Sequence, residues 1–136
     1  MRVAIAFDSA TGRTKTAAEK MAEMVRAAGH ECTIHSIQEA DPAVVSTADA
    51  VCIGSWCQGL FVLGQHATKA SVEFIDSLEP LGGKPAAVFC TYKLAVGSML
   101  TKMAARLEGR GARVIGQFKS RGAFAPRGFD SWVESL

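Results

Sequence analysis

Val3-Ala4-Ile5-Ala6-Phe7, followed at once by Asp8-Ser9-Ala10-Thr11-Gly12-Arg13-Thr14-Lys15-Thr16, decides how the rest of the chain is read. The first five residues form a continuous apolar run, the pattern of a strand buried on both faces rather than one with a wet side. Small polar residues and Gly12 break that run. From residue 15 to residue 28 the apolar positions Ala17, Met21, Met24, Val25 and Ala28 then recur at helical spacing, with Gly29 as the stop. A buried strand that turns through a short polar loop into an amphipathic helix is the first half of a βαβ unit, whose strands run parallel.

The same alternation continues outward from this unit. Residues 31–37 predict a second strand, Asp41-Pro42 opens a short helix or turn, and Ala50-Val51-Cys52-Ile53-Gly54 predicts a third buried strand. A long glycine-bearing loop is expected over residues 55–65. Ala67, Ala70, Phe74, Ile75 and Leu78 mark another helix before the break at Pro80-Leu81-Gly82-Gly83. Residues 86–90 predict a fourth strand, Leu100, Met103, Ala104 and Leu107 a further helix ending near Gly109 and Gly111, and residues 112–118 a fifth strand. A tail helix is expected over about residues 129–136. The prediction is an α/β fold: a single doubly wound domain over residues 1–136, with a five-stranded parallel sheet and helices on both faces. Such sheets bind ligands outside the carboxyl ends of their strands, so function is expected in three loops: residues 8–14, 55–65 and 91–97.

Composition narrows the function classes. The 136 residues include 15 basic and 13 acidic side chains, a net charge of +2, with no Lys/Arg run, and this balance argues against nucleic acid as a partner. The apolar stretches fall far short of the about 20 residues a spanning helix needs, so no transmembrane segment is expected. Met1 and Arg2 lead into only five apolar residues, too few for the hydrophobic region of a secretory leader, and a cytoplasmic address is expected. Cys32, Cys52, Cys57 and Cys90 form no C-x-x-C pair, and His30, His35 and His66 are not spaced with them in a zinc pattern. Thiols and no metal site are the expectation.

The first loop is suited to an anion. It lies where unpaired backbone N–H groups and the positive end of a helix dipole face outward, and Ser9, Thr11 and Thr14 add hydroxyls. The competing reading is a plain helix N-cap. No G-x-x-x-x-G-K-[ST] or G-x-G-x-x-G pattern is present.

The pattern Ser9-x-Thr11-Gly12-x-Thr14, directly after the first strand, resembles the phosphate-binding loop of flavodoxins, where hydroxyls and backbone amides surround the terminal phosphate of FMN. Gly54-Ser55-Trp56-Cys57-Gln58-Gly59 after the third strand and Cys90-Thr91-Tyr92-Lys93 after the fourth place one large aromatic in each loop where that family holds the flavin ring. The resemblance spans nearly the whole chain and implies the sheet order 2-1-3-4-5. It implies FMN as cofactor, bound by Ser9, Ala10, Thr11, Gly12, Arg13 and Thr14 at the phosphate. At the ring it implies Ser55, Trp56, Cys57, Gln58 and Gly59 in one loop and Thr91, Tyr92, Lys93 and Gly97 in the other. It further implies an electron carrier between redox partner proteins. The alternative is a flavodoxin-like flavoenzyme acting on a small substrate such as a quinone or protoporphyrinogen. One departure stands out: flavodoxins are strongly acidic, with an acidic Gly-Asp pair in the second ring loop, and here Thr91-Tyr92-Lys93 takes that place.

Cys57 and Cys90 flank the ring site as candidate redox thiols, and His66 is a candidate general acid, against the plainer readings of buried packing and a solvated helix start. Leu60-Phe61-Val62-Leu63, bracketed by Gly59 and Gly64, reads either as core or as an apolar contact patch. The tail carries Phe124, Phe129 and Trp132 on few helical turns, which predicts an association surface with a homodimer as its simplest form. Folding back onto the sheet is the competing outcome.

Overall fold

In the computed structural model, which describes residues 1–60, 63–93 and 95–136, β1 (Arg2–Phe7) runs parallel between β2 (Glu31–Ser36) and β3 (Ala50–Trp56). Beyond β3 lie β6 (Pro85–Thr91) and β7 (Arg113–Ser120), also parallel, giving the order β2-β1-β3-β6-β7. Counted within this sheet alone, that is the expected order 2-1-3-4-5. The crossovers carry α1 (Arg13–Ala27), α2 (Pro42–Ser46), α3 (Lys69–Asp76) and α4 (Met99–Gly109), and α5 (Phe129–Glu134) closes the chain.

The period of two along each central strand divides the core. Ala4 and Ala6, Val51 and Ile53, and Ala86, Val88 and Cys90 face one layer, where Phe74, Ile75 and Leu78 meet Met103 and Leu107. Val3, Ile5 and Phe7, Ala50 and Cys52, and Ala87 and Phe89 face the other, covered by Met21, Ala22 and Val25 of α1 and by Phe129, Trp132 and Val133 of α5. Both sides of β1, β3 and β6 are therefore dry, which is why these strands read as unbroken apolar runs. At the sheet edge β7 alternates exposed and buried residues instead.

Three expectations change. The long loop after the third strand is not irregular: β3 runs on to Trp56, and Gln58–Leu60 (β4) pairs antiparallel with Leu63–His66 (β5) as a small separate hairpin. Phe61 and Val62 lie outside the described residues, and with them the patch reading of that stretch. On α1 the buried face is Thr14, Ala17, Ala18, Met21, Ala22 and Val25, while Ala28 falls outside the helix and is exposed.

The third change concerns the tail. Phe129 is fully buried and Trp132 is 3% exposed, with Phe129 edge-on to Phe118 at 5.7 Å and stacked on Trp132 at 5.5 Å. Two of the three tail aromatics thus fold back on the sheet. The apolar surface invoked for a homodimer is largely consumed within the chain, because stacked and edge-to-face rings gain contact without a second copy. Phe124 alone stays out, 61% exposed.

Candidate functional site

Sheet order reverses between β1 and β3, so the loops leaving their carboxyl ends diverge and leave a crevice, a rule of which this strand order is itself a known instance. A cavity of about 300 Å³ lies there. Ala10, Thr11 and Arg13 line it from the first loop, Trp56, Cys57 and Gln58 from the end of β3 and the start of the hairpin, and Thr91, Tyr92 and Lys93 from the end of β6. The structure therefore brings all three expected loops together.

Why the first loop is free to hold an anion follows from its hydrogen bonds. Ser9 Oγ accepts from the Gly12 N–H at 3.0 Å and the Lys15 N–H at 3.4 Å, and Gly12, at φ 88°, caps α1 with no side-chain cap of its own. Among the described residues, the N–H groups of Ser9, Ala10, Thr11, Arg13 and Thr14 carry no hydrogen bond. A helix start with this many free donors, plus the Arg13 guanidinium on the cavity wall, matches the needs of a phosphate group.

Other expected residues serve the frame rather than the wall. Thr14 is buried, its Oγ1 2.7 Å from Thr91 Oγ1. Ser55 is wholly buried; its hydroxyl donates to the Trp56 carbonyl at 2.8 Å and accepts from the Thr68 N–H at 3.0 Å. Gly97, at φ 60°, sits where a Cβ would come 3.2 Å from Gln65 Cβ, so the absence of a side chain lets the third loop close on the hairpin. Gly59 is part of β4. Ser9 and Gly12 shape the loop beneath the lining residues.

Two lining residues, Gln65 and Ala95, fall within the expected loops but were not singled out there, and sequence reasoning missed the polar clamp at Asp8. Asp8, at the end of β1, accepts from Gln38 Nε2 at 2.8 Å and from Thr68 Oγ1 at 2.5 Å, while Thr68 also caps α3. The only hint in the sequence was a polar residue closing an apolar strand.

The thiols are protonated at neutral pH. Burial raises Cys57, which donates to the Ala95 carbonyl at 3.4 Å, and burial pushes Cys90 up to about 12. All four cysteines are free. Neither thiol beside the cavity has the depressed pKa of a reactive one. His66 bonds through Nδ1 to the Ala67 carbonyl at 2.8 Å and does not line the cavity.

A sequence profile described as Flavodoxin matches residues 5–131. The chain belongs to the flavodoxin family. The FMN expected from the resemblance agrees with that membership, FMN being the flavin of flavodoxins. Flavodoxin of Megasphaera elsdenii, solved in its two-electron reduced state, is similar at 24% identity over 98% of this chain and 99% of its own, with a TM-score of 0.82. Oxidised flavodoxin 1 of Bacillus cereus follows the same fold at 18% identity, 99% and 94% coverage and a TM-score of 0.70. Rubredoxin:oxygen oxidoreductase of Desulfovibrio gigas contains the fold as part of a longer chain, at 18% identity over 98% of this chain but 33% of its own, with a TM-score of 0.75. Among the described residues of this flavodoxin-family chain, no helix is long and apolar enough to cross a membrane.

Proposed function

We propose that the chain holds FMN in the cavity at the carboxyl ends of β1, β3 and β6 and carries electrons between redox partner proteins. The observation that carries this reading is the cluster of unbonded amides of Ser9, Ala10, Thr11, Arg13 and Thr14, beside a cavity that Trp56 and Tyr92 both line. The amides, Thr11 and Arg13 would hold the phosphate. Trp56 and Tyr92 would exclude water from the ring, adding about 0.5–1.5 kcal/mol per stacked pair beyond area burial. Bound flavin supplies one- and two-electron redox chemistry. The protein's part is to position the ring near the surface and set the charge around it.

Family membership supports the carrier reading. Among the described residues that line the cavity there is no histidine, and the lining thiol, Cys57, is raised by burial rather than activated, which agrees with the carrier reading. The test is the visible spectrum of the purified protein, alone and after adding FMN, followed by extraction of the flavin. Uptake of FMN, with slow NADPH–quinone turnover, is the expected result. Recovery of FAD as the main species, or no flavin uptake at all, overturns the reading. Fast steady turnover moves it to the flavoenzyme alternative.

A further inference from the structure

Four of the five segments at the carboxyl end of the sheet follow β1, β3, β6 and β7: residues 8–15, 56–68, 91–98 and 119–128. Together they contain six Lys and Arg residues, Arg13, Lys15, Lys93, Lys119, Arg121 and Arg127, and a single carboxylate, Asp8. All six cations are exposed, and none forms an ion pair among the described residues. Asp8 is buried and engaged by Gln38 and Thr68. Glu39 and Asp41 follow β2 at the same end of the sheet, but on the far side of β1 from β6 and β7, while Glu73 and Asp76 on α3 pair with Lys69 and Arg106, and Asp130 lies in the first turn of α5. Within a net charge of +2, the unpaired cations at this end of the sheet therefore gather toward the β6–β7 side, and the carboxylates toward the β2 side.

Two further observations locate the centre of this surface. Lys119 Nζ and Arg121 Cζ lie 5.9 and 5.7 Å from the centroid of the Tyr92 ring, which itself lines the cavity, so the cationic loop reaches the cavity rim. In the same loop Phe124 is 61% exposed, in sequence between Arg121 and Arg127. Aromatic and Arg side chains are the residue types that carry most binding energy at protein interfaces. A small anionic substrate would need the cations inside the cavity, yet only Arg13 and Lys93 of the six line it.

We infer that this rim is the docking surface for an acidic electron-transfer protein, which seats a carboxylate-rich face on Lys93, Lys119, Arg121 and Arg127 with Phe124 as the apolar anchor. Its purpose rests on the flavin-carrier reading. In the complex one electron leaves the flavin of one partner and enters the oxidised centre of the other, or passes the reverse way. Electrostatic complementarity of this kind speeds encounter and selects partners, and it weakens as salt screens it.

The test titrates the full-length 15N-labelled protein with zinc-substituted rubredoxin, an acidic and redox-silent probe. A basic c-type cytochrome and a 20-nucleotide single-stranded DNA serve as rivals. The expected result is amide shifts concentrated in residues 91–98 and 119–128, with affinity falling at least tenfold from 50 to 300 mM salt. The double variant Lys119→Glu/Arg121→Glu should lose at least tenfold and Phe124→Ala several-fold, while Lys119→Arg/Arg121→Lys retains binding. Shifts confined to other faces, tighter binding of the cytochrome, or equal binding of the DNA at the same amides overturn the inference. In a second arm the reduced, flavin-loaded protein is oxidised by ferricyanide and by hexaammineruthenium(III). The anion's rate should fall as salt is raised and the cation's should rise; the opposite pair of slopes overturns the inference. A protein that takes up no flavin sinks the carrier reading, while the titration still decides the docking surface.

Discussion

Thr14 Oγ1 lies 2.7 Å from Thr91 Oγ1, a buried contact that ties the first turn of α1 to the end of β6 across 77 residues of sequence. It couples the loop after β1 to the loop after β6. Two hydroxyls share one hydrogen bond, so one proton remains to be donated elsewhere. Replacing either residue with Val should cost about 1–3 kcal/mol, because the other hydroxyl is left buried and unpaired, whereas the double variant should cost less than the sum. Urea unfolding of the four proteins in the cycle measures this. Costs that simply add would show that the contact does not couple the loops.

Thr11, in contrast, is exposed and lines the cavity. A hydrogen bond to a charged group contributes about 1.5–3 kcal/mol, so Thr11→Ala should weaken FMN by roughly tenfold or more and leave riboflavin, which lacks the phosphate, unchanged. Flavin fluorescence titration with both ligands reads the difference. Equal losses for the two would remove Thr11 from the phosphate site.

Gly54 is held by space rather than by backbone conformation. A Cβ there would come 2.1 Å from Phe89 Cζ, and the Phe89 ring is fully buried. Gly54→Ala forces that ring out of place, and overpacking of a dense core costs typically about 1–3 kcal/mol. Adding Phe89→Leu should return part of the loss by vacating the ring's volume. Chemical denaturation that finds Gly54→Ala neutral would mean the ring relocates freely.

Much of this fold was legible because a parallel sheet covered on both sides demands strands that are apolar throughout, and β1, β3 and β6 comply. The hairpin β4–β5 was not, since Trp56 to Leu63 shows no period-two alternation and its bracketing glycines imitate a loop. The tail aromatics were equally ambiguous: an apolar residue records that it wants cover but not whose. At the site, loop position pointed to Thr11, Trp56 and Tyr92, which line one cavity, yet side-chain type alone could not separate hydroxyls that face the cavity from Thr14 and Ser55, which are turned to protein partners. Gln65 lies in an expected loop, but its place in the wall comes with the hairpin strand β5, which the sequence did not signal.

The cysteines should be quiet. Burial raises Cys32 to about 11 and Cys90 to about 12, Cys52 is pushed well above its ordinary value, and Cys57 is raised too. Iodoacetamide at pH 8 should label only Cys57, and FMN should slow that labelling because Cys57 lines the cavity. Unfolded thiols ionise near 9 while the folded ones stay neutral. Their contribution to stability is thus fully present below pH 9 and lost as pH climbs through 11 to 12. Rapid labelling of Cys90 in the native protein at neutral pH would contradict its burial.

The cations around Tyr92 should also set the flavin's potential. Negative charge near the ring disfavours adding electrons, and acidic flavodoxins carry such charge, whereas here Lys119 and Arg121 stand within 6 Å of the Tyr92 centroid. A unit charge about 8 Å from the reduced ring, at an effective dielectric of about 20, acts with about 2 kcal/mol, or up to roughly 100 mV before screening. Lys119→Gln with Arg121→Gln should therefore lower the midpoint potential by some tens of millivolts at low salt, and by less at 0.5 M, where the Debye length shrinks to roughly 4 Å. Spectroelectrochemical titration of both proteins at the two salt levels measures the shift. An unchanged midpoint would mean that solvent already screens these cations from the ring, and that hydrogen bonds from the Trp56 and Tyr92 loops control the potential instead.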